Sequence, residues 1–118
     1  MEESILKGTK KMLGLAPDYT AFDHDVITHI NSVFSTLSQL GIGPSEGFMI
    51  EDDSKVWTQF IAPNHNLNAV RTYLYLKVRM FFDPPTTSFL IEAMNKQILE
   101  AEWRLNVVRE GIVWETTA

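Results

Sequence analysis

The sequence has no cysteine among its 118 residues, which excludes disulfides, thiolate chemistry and the common structural zinc sites together. It also lacks an apolar run near the ~18 residues that a membrane span requires. Met1, Glu2 and Glu3 do not form the basic region that precedes the apolar core of a secretory signal, so synthesis in the cytosol and no membrane partner are expected. Positive charge is scarce as well. Ten Lys and Arg stand against fifteen Asp and Glu, for a formal charge of −5, whereas gripping nucleic acid takes a concentrated basic surface. A mildly acidic wall repels a phosphate backbone and lets it pass.

Catalytic constellations are missing too. His24 and His29 miss the four-residue spacing that sets two imidazoles on one helical face, and His65 stands apart from both. There is no glycine-rich phosphate loop, no nucleophile elbow and no glutamate three residues before a histidine. The acidic group Glu46, Glu51, Asp52 and Asp53 is too compressed for a calcium loop. No metal, no cofactor and no enzyme activity are expected. The apolar fraction of 45% and charged fraction of 21% nevertheless fit one folded domain with a real core.

What the chain does have is helical periodicity. Leu67 to Phe82 carries apolar residues on nearly every side and stops at Asp83, Pro84 and Pro85, because an interior proline loses a hydrogen bond and clashes. Leu67, Val70, Leu74, Val78 and Phe81 share one face, Tyr73, Leu76 and Met80 a second, Tyr75 and Phe82 a third. Such a helix must be surrounded by protein. Before it, Ser4 to Leu13 predicts a short helix closed by Gly14, with Tyr19 and Phe22 as loop anchors. Asp23, as N-cap, opens a helix whose stripe Val26, Ile27, Ile30, Val33, Phe34, Leu37 and Leu40 ends at Gly41. The opposite face (Thr28, Asn31, Ser32, Ser35, Thr36, Ser38 and Gln39) is polar yet uncharged, either a solvated surface or a subunit contact.

Gly41 to Asp53 reads as a loop or hairpin, followed by a helical turn capped by Asp53 or Ser54. Thr87 or Ser88 starts the last helix, expected to run to about Arg109 and to stop at Gly111. Leu90, Ile91, Met94, Ile98, Ala101, Leu105 and Val108 form its core face, and Phe89, Leu99, Trp103 and Val107 form a second stripe. A helix packed on one core needs only one such face. Ile112, Val113 and Trp114 follow, three apolar residues that either fold back or dock into a partner.

The run VRTYLYLKVRMFFDPP, the later IEAMNKQILEAEWRLN and the earlier DHDVITHINSVFSTLSQLGIGPSEGFMIEDD resemble the head-tail connector (adaptor) proteins of tailed bacteriophages, over roughly residues 19–106. The resemblance implies an all-α fold: a small bundle of about four helices with a loop or hairpin insertion and an extended C-terminal arm. Residues 1–18 would be an N-terminal helix and link, 19–110 the bundle core and 111–118 the arm. It further implies a non-catalytic virion protein, assembled in the host cytoplasm and placed at the head-tail interface. Copies would form a ring, commonly dodecameric, on the portal protein, extend the DNA channel without binding the genome tightly, and carry a stopper or tail-completion protein. Ile112, Val113 and Trp114 would then dock the portal, Phe89, Leu99, Trp103 and Val107 would join subunits, and Glu46, Glu51, Asp52 and Asp53 would face the channel. Two other readings stay open: a small-terminase-like DNA-packaging factor, against which the missing basic recognition helix argues, and a monomeric helical regulatory module.

Overall fold

The computed structural model describes residues 4–61 and 65–117, with side chains described for 4–61 and 67–106. Five helices follow one another, and no strand occurs among the described residues. α1 (Ile5–Met12) starts where the Ser4 hydroxyl accepts the Lys7 amide proton at 3.3 Å, and it ends before Gly14 at φ +80°. Eight residues make a marginal helix in isolation. It is held by burial of Ile5 and Leu6 against α2 and by the Ile5 amide, which donates to the Lys55 carbonyl at 2.9 Å beside a single Ser4–Val56 bridge. Ile5 and Leu6 thereby belong to the core.

α2 (Asp23–Gln39) buries the predicted stripe, with Val26, Ile30, Val33, Phe34 and Leu37 inside. Asp23 is not its N-cap: Phe22 holds that position, and the Asp23 carboxylate instead meets the Lys10 ammonium at 2.8 Å. Lys10 is almost wholly buried and also donates to the Pro17 carbonyl at 3.0 Å, so a carboxylate nearby is worth more as a counter-charge than as a cap. Of the two loop anchors, Phe22 packs edge-on against Phe82 at 5.4 Å, while Tyr19 rests on Phe22 and is half exposed.

Residues 41–56 form a loop without a hairpin. Phe48 and Ile50 turn inward onto Phe34 and Phe60 or into the core, and Met49 points out. Gly43 sits at φ +93° with the Phe60 ring where a Cβ would be, so both backbone and space require glycine there. α3 (Trp57–Phe60) is capped by neither Asp53 nor Ser54. Its N-cap is Val56, whose amide donates to Gln59 Oε1 at 2.8 Å, while Ser54 is occupied with Asp52.

α4 (His65–Phe82) packs on both α2 and α5 (Ser88–Thr117). Val70, Tyr73, Leu74 and Val78 are buried, and Leu67, Tyr75, Leu76, Met80 and Phe82 are partly buried. The chain therefore surrounds most of its own central helix. Phe81, expected on the core face, is half exposed, its ring beside His29 of α2 and the Lys77 ammonium. Asn64 and Asn66, residue types that could cap this helix, lie outside the described side chains.

α5 continues to Thr117, past the stop expected at Gly111. A glycine inside a helix costs about 1 kcal/mol relative to alanine, which weakens a helix without ending it. At 30 residues the helix spans about 45 Å, close to the longest dimension of the fold, 50 Å.

Candidate functional site

Thr87 begins α5 as expected, its hydroxyl accepting the Leu90 amide proton at 3.3 Å. From there Ile98 and Leu105 enter the core, with Ile91, Met94 and Ala101 partly covered. Leu90, assigned to that face, is half exposed because it lies beyond the end of α4, at the Asp83–Pro85 corner. On the far side of α5 three large apolar residues stand in solvent: Phe89 is 77% exposed, Leu99 64% and Trp103 65%. The core is complete without them, so monomer folding gives no reason for their character. A run of aromatic and aliphatic surface along one helix is the usual mark of an interaction site. Glu92 and Lys96 stand between them, the polar frame such a stripe requires to stay soluble. Val107 lies outside the described side chains, as do Ile112, Val113 and Trp114, whose backbone is part of α5.

The acidic residues occupy the opposite arm of the fold's logic, an exposed loop. Asp52 accepts from both the amide and the hydroxyl of Ser54, and these hydrogen bonds hold its carboxyl below the ordinary range. Asp53 faces Lys7 at 3.6 Å, and Glu46 is near the Ser45 hydroxyl. Among the described residues no cluster of three His, Asp or Glu side chains is arranged to hold a metal.

Besides the Lys10–Asp23 pair, two polar arrangements depend on partners that spacing does not reveal. Asn31, counted with the uncharged face of α2, clamps the loop: its Oδ1 accepts from the Ile50 amide at 2.8 Å and its Nδ2 donates to the Ile50 carbonyl at 2.9 Å. Its neighbours Thr28 and Thr36 bond back to carbonyls of α2 and remain largely at the surface. Tyr73, buried on α4, donates to Glu102 Oε1 at 2.9 Å, and Lys77 approaches the same oxygen at 3.9 Å. Burial first, and then the Glu102 carboxylate, push the Tyr73 phenol well above its ordinary pKa. This group ties α4 to α5 and fixes the roll of α5, which decides that Phe89, Leu99 and Trp103 face outward.

A family model described as phage connector protein matches residues 5–112. The chain belongs to the phage connector family. No curated protein and no solved structure matches it significantly. The matched stretch takes in the whole α5 stripe and all four acidic residues, and of the three apolar residues after Gly111 it includes only Ile112. The connector thus has a structural role in the phage particle, and its described residues form an all-α bundle. No helix among the described residues is long and apolar enough to cross a membrane.

Proposed function

We propose that this connector assembles as a ring, commonly of twelve copies, on the portal at the head-tail interface, having been made in the host cytoplasm. The ring extends the channel through which the genome passes and offers a platform to a stopper or tail-completion protein. The observation that carries the reading is the stripe Phe89, Leu99 and Trp103, exposed beside a finished core. A ring joins copies through two different faces of each subunit, so an apolar surface surplus to the fold is what it needs. The exposed loop with Glu46, Glu51, Asp52 and Asp53 suits a channel lining that repels phosphate, and the segment Ile112 to Ala118 is assigned to the portal.

Light scattering with and without portal protein tests the assembly. Trp103→Glu is expected to change monomer stability by less than about 0.5 kcal/mol, as for other surface positions, and to weaken assembly by about 2 kcal/mol or more, as for a buried aromatic anchor. Global unfolding of that variant in circular dichroism would place Trp103 in the monomer's own stability and remove the argument. Deleting residues 112–118 is expected to spare folding and reduce co-sedimentation with portal; unchanged co-sedimentation would end the docking role of that segment.

A further inference from the structure

On another side of α5, roughly a third of a turn from the stripe, an open groove runs along the seam between α4 and α5. Its first section, about 400 Å³, is floored by Ala69, Leu76 and Ala101. It shares Thr72 and Leu76 with a middle section beside Met94, which shares Arg79 and Met94 in turn with a last section reaching Asp83 and the two prolines. The three sections form one trough along the α4–α5 pair. One helix therefore contributes to both a ridge and a trough, on different faces.

The charges suit each other. Asp83 at the mouth of the trough and Lys96 on the ridge make no ion pair among the described residues. Setting Lys96 of one copy against Asp83 of another, with the incoming α5 antiparallel to α4, fixes the rest of the register. Leu99 is three residues beyond Lys96 and falls level with Met80, three before Asp83. Trp103, seven beyond Lys96, falls level with Leu76, seven before Asp83, or about 10 Å along the helix at 1.5 Å per residue. Met80 and Leu76 are both partly buried apolar residues of α4, and Leu76 also lines the trough. The parallel orientation would carry Trp103 off the end of α4 instead.

We propose that the occupant of the trough is a second copy of this chain, its α5 ridge seated head to tail with Trp103 over Leu76 and Lys96 paired with Asp83. This rests on the reading that copies assemble, and it names which faces meet. Like every heterologous contact, it leaves one ridge and one trough open at the ends until the assembly closes.

A chain without cysteine makes the test clean. Asp83→Cys and Lys96→Cys, mixed on portal or at high concentration under mild oxidation, are expected to give a covalent dimer that neither variant gives alone. A dimer from Lys96→Cys by itself would mean that ridge meets ridge, and would overturn the proposal. Asp83→Lys and Lys96→Asp are each expected to reduce assembly and, combined in one chain, to recover it; no recovery would likewise overturn it. Wild-type assembly in light scattering without the mixed cross-link would refute this pairing of faces while leaving the proposed function intact. A strict monomer in the presence of portal would refute both.

Discussion

Replacing Asn31 by alanine removes two hydrogen bonds at once and leaves the Ile50 amide and carbonyl without protein partners in a residue that is 1% exposed. A buried backbone group stranded in this way costs about 1–3 kcal/mol. Asn31 itself is only half-buried, so water can approach from its side, and the lower end of the range applies, about 1–1.5 kcal/mol per group and so about 2–3 kcal/mol for the pair. For a domain of this size that corresponds to a fall in Tm of about 10 °C. Urea denaturation followed by far-UV circular dichroism measures the loss directly, and the midpoint should move with little change in slope. Asn31→Asp keeps an acceptor for the amide but turns a carboxylate toward the Ile50 carbonyl, so it is expected to be destabilising as well. Ser32→Ala, on the exposed part of the same helix, serves as the control and should stay within about 0.5 kcal/mol. A loss below about 0.5 kcal/mol for Asn31→Ala would mean that burial of Phe48 and Ile50 alone holds the loop, and the clamp would lose its role.

Tyr73→Phe is expected to cost about 1 kcal/mol at neutral pH for the hydrogen bond to Glu102. Because the folded state raises the Tyr73 pKa above its ordinary 10.0, the associated stability is fully present below about pH 10 and is lost as pH rises from there toward the folded value. Thermal melts at increasing alkaline pH should therefore fall more steeply for the wild type than for the Phe variant, and parallel curves would refute the assignment. Asp23→Ala is expected to cost about 3 kcal/mol by leaving the buried Lys10 ammonium without its counter-charge, and adding Lys10→Met should recover most of that; equal stability of Asp23→Ala and wild type in urea would show the pair to be idle.

The regular parts of the fold were legible because helical burial repeats. The α2 stripe and the all-round cover of α4 follow from spacing, and so does the exposed second stripe of α5 at Phe89, Leu99 and Trp103. What escaped depends on partners distant in sequence. Asn31 belongs to a neutral surface until the loop turns Ile50 back on it, and that turn depends on Gly43 beside Phe60. Asp23 reads as a cap until Lys10, ordinarily a solvated residue, is found buried next to it. Leu90 has the right phase for the core but stands where α4 has run out, and Phe81, also in phase, reaches only the rim beside His29. α5 runs on past Gly111 because one glycine is too small a penalty to stop a long helix.

The bond from Ile5 to the Lys55 carbonyl has a consequence in time. Synthesis proceeds at roughly 5–20 residues per second, so α1 is made seconds before the chain that completes its binding site. During that interval an eight-residue helix has no stable existence of its own, and Ile5 and Leu6 wait uncovered on a growing chain. α1 is thus secured only after α2 and the loop behind it have been made, and Ile5 gains its hydrogen-bond partner only once Lys55 and Val56 have emerged.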